Sequence, residues 1–129
     1  MATQRTFSGA PWESQVGYCR AIKVGNQIHV SGCAPISESS ETFAPNDAYA
    51  QAKRCFEIIE SALSNLDAKM SDVVRTRMYV TNITRWQEYG RAHNACFGEH
   101  PPATTLLEIK ALVNPDMLIE VEAEAILDE

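Results

Sequence analysis

Asn46 to Asp67, NDAYAQAKRCFEIIESALSNLD, decides how the rest of this chain is read. Ala52, Cys55, Phe56, Ile59, Ala62, Leu63 and Leu66 recur at spacings of three and four, which is one apolar stripe of an α-helix. Lys53, Arg54, Glu57 and Glu60 fall mostly outside that stripe. Asn46 or Asp47 has the short oxygen-bearing side chain that caps a first turn. A helix of this length and amphipathicity needs a sheet or another helix to cover its stripe, so the sequence on either side is expected to supply strands.

Upstream, residues 1–17 read as irregular, with a short strand candidate at Arg5-Thr6-Phe7 and Gly9, Pro11 and Gly17 as punctuation. Tyr18–Val24 and Gln27–Ser31 flank Gly25-Asn26, the pattern of a β-hairpin with a two-residue turn. Ile28 and Val30 alternate with Gln27, His29 and Ser31, so one face of the second strand is apolar, and Gly32 at its end permits close backbone approach. Pro35 to Pro45 is a polar loop rich in Ser and Glu and is expected to be exposed. Downstream, 73–80 is a strand with Val74, Thr76, Met78 and Val80 on one face and Arg75, Arg77 and Tyr79 on the other. A second helix is expected over 84–98 with Trp86, Tyr89, His93, Cys96 and Phe97 as its stripe. Pro101-Pro102 ends it. Strands at 104–109 and 118–127 are separated by a turn at Asn114-Pro115-Asp116. In the last strand Ile119, Val121, Ala123, Ala125 and Leu127 alternate with Glu120, Glu122 and Glu124. The expected order is β-β-β-α-β-α-β-β, an α+β domain spanning 1–129 with a mixed sheet and two helices on one face.

Composition limits the function classes. The chain has 129 residues, 45% hydrophobic and 22% charged, ordinary for one globular domain. A formal net charge of -6 and the lack of any Lys/Arg run longer than Lys53-Arg54 argue against nucleic acid as a partner. Cys19, Cys33, Cys55 and Cys96 form no CxxC pair and have no histidine at metal-ligand spacing, so no metal site is expected and the thiols read as reduced. No basic segment followed by an apolar run opens the chain, and no stretch approaches membrane-spanning length. These features together point to a soluble protein of a reducing, cytoplasmic compartment.

The ordered set of local signatures resembles the Rid (reactive intermediate deaminase, RidA/YjgF) family. It consists of Gly17-Tyr18, Gly25-Asn26, Val30-Ser31-Gly32, the 46–66 helix, the 72–80 segment, Pro102-Ala103, and Ile119-Glu120-Val121-Glu122-Ala123. The resemblance implies a chorismate-mutase-like fold, a homotrimer, small-molecule clefts between subunits, no cofactor, and hydrolysis of enamine or imine intermediates. In such a cleft an arginine after the Pro-Ala pair clamps the substrate carboxylate, and a planar guanidinium suits that task because it makes two parallel hydrogen bonds. A glutamate in the last strand positions water. Carried over by position, Glu120 matches the glutamate and becomes the catalytic candidate. Tyr18, Ser31 and Gly32 match the cleft's tyrosine and Ser-Gly. Thr104 stands where the arginine is expected, and Leu106 where the family has a cysteine. Thr104 has no charge, so the resemblance implies a retained cleft with weak or altered hydrolysis. Arg20, Arg75, Arg77 and Lys110 are the cations that could substitute, read as surface charges; His29 and His93 are general bases by residue type alone, read as structural or exposed. The two other readings are an active imine deaminase using another cation, and an endoribonuclease or translation inhibitor. The acidic charge and the lack of a His pair weigh against the last.

Overall fold

A computed structural model describes residues 2–128. Six strands, β1 (Thr3–Thr6), β2 (Ala21–Val24), β3 (Gln27–Cys33), β4 (Val73–Val80), β5 (Ala103–Glu108) and β6 (Ile119–Ile126), form one sheet in the order β1-β2-β3-β6-β4-β5. The last strand in sequence therefore lies in the middle, antiparallel to both β3 and β4, while β4 and β5 run parallel and need a helical crossover. That crossover is α3 (Trp86–Phe97); α2 (Ala48–Asn65) packs beside it, and a short α1 (Pro11–Val16) precedes the hairpin.

The core lies between the two long helices and one face of the sheet. Ala52, Cys55, Phe56, Ile59, Ala62, Leu63 and Leu66 are all buried, as the spacing requires. They meet Ile28, Val30, Met78, Val80, Ile119, Val121, Ala123 and Ala125 from the sheet. Asp47 is the cap: its carboxylate accepts the Ala50 N–H at 3.0 Å. The strict alternation of β6 puts its aliphatic residues on the helix face and Glu120, Glu122 and Glu124 on the other.

Several expectations are corrected. Besides the two long helices, Pro11–Val16, expected to be irregular, forms a short helix, closed by Gly17 in the left-handed region at φ 91° with its N–H bonded to the Glu13 carbonyl at 2.9 Å. Pro at the first helical position and Gly just past the end are the signals for it, but six residues are too few to show a periodic stripe. The first strand sits earlier, over Thr3–Thr6. Val74 does not share a face with Met78. A bulge between Val73 and Arg75 turns Val73 into the core and leaves Val74 43% exposed. On α3, Trp86 is 55% exposed, and Ala92 takes a place in the core. The sheet's second face carries charged and polar side chains. Arg77 pairs with Glu122 at 3.2 Å and with Glu124 at 3.5 Å, and Tyr79 donates to Glu122 at 2.8 Å. Finally, the 35–45 loop folds back on itself through an Ile36–Thr42 bridge and the bond from Phe43 N–H to the Pro35 carbonyl, so part of it becomes a wall.

Candidate functional site

Glu120 opens β6 opposite Tyr79, on the face away from the helices. Beside it β3 is irregular: between Val30 and Cys33 the pairing with β6 slips, and Gly32 lies in the slip. The side chain of Glu120 occupies the volume that any larger residue would fill. A Cβ on Gly32 would lie 2.1 Å from Glu120 Oε2 and 3.1 Å from its Cδ. Burial pushes the Glu120 carboxyl above its ordinary range, against the pull of Arg20, and Glu122 adds to the rise. A raised pKa makes a carboxyl better suited to proton transfer than an ordinary solvated one.

Tyr18, Gly32 and Glu120 are common to two recesses. One is a shallow groove on the open face, completed by Val30, Ser31 and Glu122. The other is a cavity of about 500 Å³ that runs from Glu120 towards α1, α2 and the 35–45 loop, with Trp12, Arg20, Cys33, Ile36, Arg54, Ile58 and Val113 in its lining. That volume falls in the range of small-ligand sites. Ser31 contributes mainly backbone to this region, because its hydroxyl donates to the Cys19 carbonyl at 2.8 Å.

Arg20 is the residue that the sequence undervalued. It was a candidate cation read as a surface charge, and it is 4% exposed and lines the cavity. Its Nε donates to Glu13 Oε2 at 3.1 Å, and its Nη1 donates to the Gly32 carbonyl at 2.7 Å and reaches Cys33 Sγ at 3.5 Å. Tyr18 lies under the guanidinium, with the ring centroid 5.5 Å from Cζ and the hydroxyl 3.5 Å from Nη2. Glu13, 5% exposed, is the counter-ion. Burial opposes its ionisation, but the Ser8 hydroxyl and N–H and the Arg20 charge outweigh that and hold it below the ordinary carboxylate range. Burial likewise opposes the Arg20 charge, and Cys33, Tyr18 and Glu13 more than restore it. The Cys33 thiol is pushed up to about 11 by burial, with Arg20 pulling the other way, so it stays protonated and is no nucleophile. A buried Glu–Arg pair seven residues apart leaves little trace in sequence.

Thr104 and Leu106 are not beside Glu120 within one chain. They lie on edge strand β5 opposite Thr76 and Met78, hence on the helix face, two strands from β6. Thr104 Oγ1 accepts from Thr76 Oγ1 at 2.7 Å, and Thr76 Oγ1 in turn contacts His93 Nε2 at 2.8 Å. His93 packs edge-on against Phe56 and tilted against Phe97, and burial lowers its pKa. The other candidate cations are spent elsewhere: Arg75 donates to Thr105 at 2.7 Å, Arg77 pairs with Glu122 and Glu124, and Lys110 is exposed. His29 faces Glu124 at 3.5 Å near the surface. All four cysteines are free thiols, and no cluster of His, Cys, Asp or Glu among the described residues could hold a metal. No helix among them is long and apolar enough to cross a membrane.

A six-stranded mixed sheet with its long helices on one face is the chorismate-mutase-like fold expected from the sequence. The comparisons agree. The family model for endoribonuclease L-PSP matches residues 9–127. The crystal structure of Rv2704 from Mycobacterium tuberculosis, a member of the YjgF/YER057c/UK114 family, superimposes with a TM-score of 0.89 at 38% identity, covering 98% of this chain and 100% of that one. The protein SCO2049 of Streptomyces coelicolor is 31% identical across 96% of this chain and 92% of its own length. The 3-aminoacrylate deaminase RutC of Acinetobacter baylyi is 30% identical across 84% of this chain and 85% of its own. The chain belongs to the endoribonuclease L-PSP family, also called Rid or YjgF.

Proposed function

We propose that this single Rid-type domain assembles as a homotrimer and binds a small metabolite in clefts between neighbouring copies, with enamine or imine hydrolysis weakened or altered. The observation that carries this reading is the seating of Glu120: a half-buried carboxyl of raised pKa, fixed against Gly32 and next to Tyr18. In one chain Thr104 and Leu106 stand on the opposite face of a distant edge strand, so a cleft that uses all six residues needs a second copy. The deaminase name of the RutC relative supports the chemistry, and the replacement of the clamping arginine by Thr104 supports its weakening. Two charge-assisted hydrogen bonds lost, at roughly 1.5–3 kcal/mol each, amount to about 100-fold or more in affinity for a carboxylate.

The second reading, an active deaminase that holds its substrate through another cation, is favoured by one observation, the burial of Arg20 in the cavity beside Glu120. Hydrolysis of 2-aminoacrylate, generated in the assay by a dehydratase, separates the two. Turnover at the rate of an arginine-bearing relative supports the second reading, and turnover far below it supports the first. Light scattering at micromolar concentration is expected to give about three times 14.3 kDa; a clean monomer overturns the shared cleft. An endoribonuclease role is disfavoured by the net charge of -6.

A further inference from the structure

Gly90 is a glycine that nothing inside the chain requires. It sits in the middle of α3, where glycine is a poor helix former. Elsewhere the reason for a glycine is visible: Gly9, Gly17 and Gly25 hold positive φ angles, and a side chain at Gly32 or Gly98 would collide with Glu120 or with the Asn94 carbonyl. At Gly90 φ is not positive, and a Cβ would meet no atom within 4 Å. What the missing side chain keeps open is a shallow recess of about 820 Å³ between α3 and the start of α2, a size that suits a small ligand. Trp86, Gly90 and Asn94 follow one another at single helical turns, so the gap lies between an indole and an amide. The three span about 12 Å along the helix axis. The indole is 55% exposed.

The recess has one cation and no acid in its lining. The Arg91 guanidinium lies over the Tyr49 ring, with Cζ 5.2 Å from the centroid, and this contact orients its plane. Arg20, Arg54, Arg75, Arg77 and Arg85 each donate to an oxygen of the protein. The Arg91 guanidinium has no such partner among the described residues, although the chain as a whole carries a net charge of -6. Glu88, three residues earlier on α3, is taken at two points by Arg85, both at 2.9 Å. Gln87, one turn before Arg91, and Asn94 offer amides that make no side-chain hydrogen bond among the described residues.

We propose that this recess binds a small planar aromatic anion, with the ring over Gly90 against Trp86 and the anionic group on Arg91. The amides of Gln87 and Asn94 then meet polar atoms on the edge of the ring. An indole face suits a flat ring because offset stacking adds to the area it buries. A guanidinium already stacked on an aromatic ring keeps its planar fork free for an anionic group. The recess shares no lining residue with the cavity at Glu120, so this inference stands or falls apart from the reading of that cleft. It is a binding site without chemistry of its own, since no nucleophile and no acid lines it.

The test titrates 2-naphthoate, its uncharged amide 2-naphthamide and the non-planar anion cyclohexanecarboxylate into isotope-labelled protein, followed by heteronuclear NMR. The two tryptophans give two indole N–H signals, which Trp86→Phe assigns. 2-Naphthoate is expected to move the Trp86 signal, whatever happens at Trp12, which lines the Glu120 cavity. It is expected to bind about fivefold more tightly than 2-naphthamide, the worth of an exposed ion pair, and about fivefold more tightly than cyclohexanecarboxylate, the worth of a stacked ring. Arg91→Gln is expected to abolish the preference for acid over amide. Gly90→Leu fills the recess and is expected to abolish the Trp86 shift while raising Tm by about 3 °C, since leucine is the better helix former. An unmoved Trp86 signal overturns the proposal, as does equal affinity for 2-naphthoate and 2-naphthamide. A Gly90→Leu protein that still shows the parent's Trp86 shift overturns it too. A Gly90→Leu protein less stable than the parent shows that the glycine serves the chain's own packing, and one of lower assembled mass in light scattering shows that a second copy fills the recess; either result removes the ligand site.

Discussion

Replacing Gly32 by alanine tests the contact on which the site is built. Gly32 does not occupy the left-handed region, so alanine meets no backbone strain there. What it meets is Glu120: the new methyl would stand 2.1 Å from Oε2, 3.1 Å from Cδ and 3.3 Å from Cγ. Ordinary contacts are near 3.5 Å, so the carboxylate oxygen must retreat by about 1 Å or more. Rotating a side chain off its staggered well costs about 0.5–1.5 kcal/mol. Alanine in place of glycine in a strand returns about 0.5–1 kcal/mol by restricting the unfolded chain. Gly32→Ala is therefore expected to change stability by no more than about 1 kcal/mol, or about 4 °C in Tm for a chain of this size. Its effect on function is expected to be much larger, because a catalytic group displaced by about 1 Å can cost on the order of 100-fold. In a Glu120→Ala background the obstructing atoms are gone, and the same substitution is expected to stabilise by about 0.5–1 kcal/mol. The four proteins form a double-mutant cycle with a coupling of about 0.5–1.5 kcal/mol. Urea denaturation at one fixed protein concentration measures it, since assembly makes apparent stability concentration-dependent. A coupling of zero would show that the glycine and the carboxylate do not compete for one volume. A loss above about 3 kcal/mol in both backgrounds would show that Gly32 serves the backbone of β3 rather than Glu120.

Glu13→Ala is expected to cost about 3–5 kcal/mol, since it leaves the Arg20 charge buried without its counter-ion, both side chains being 5% exposed; a urea midpoint close to the parent's would show that Arg20 reaches water. Glu120 is raised above 4.5 in the folded protein, so the native state holds this proton more tightly than the unfolded chain. Its contribution to stability is full below the unfolded value and is lost as pH rises through the folded one. The stability of the parent minus that of Glu120→Gln is therefore expected to fall with rising pH from about 4.5 upward, and a flat difference in urea series at several pH values would count against a buried carboxyl. His93 and the other titrating groups are common to both proteins and drop out of that difference. Thr104 is exposed on an edge strand but accepts the hydroxyl of buried Thr76, so Thr104→Arg is expected to cost no more than about 1.5 kcal/mol while improving calorimetric binding of 2-ketobutyrate, with Leu106→Cys added if the wall also hinders. No gain in either variant would mean that the absent arginine is not what limits the cleft.

Periodicity alone determined much of this protein. The stripe of α2 and the alternation of β6 are local consequences of helix and strand geometry, and every aliphatic residue from Ile119 to Ala125 in β6 is buried as its position demands. Gly25-Asn26 fixed the hairpin for the same reason. Where local signal was thin, the reading failed: six residues of α1 are too short for a stripe, and the bulge at Val74 reverses a face by adding one residue. Only the tertiary structure decided which strands are neighbours. β6 pairs with β3 and β4 across long loops, and the free energy that selects this comes from covering α2 and α3 with one continuous apolar face, a property of no single segment. The site has the same origin. Glu120 was legible as a glutamate at the head of a strand, but its raised pKa comes from burial, with Glu122 adding to it. Arg20 looked like any hairpin cation until the fold placed Glu13, seven residues earlier and on a helix the sequence hid, within 3.1 Å of it. A charge is stable in a dry cavity only with a partner supplied by another element, and chain folding alone brings such partners together.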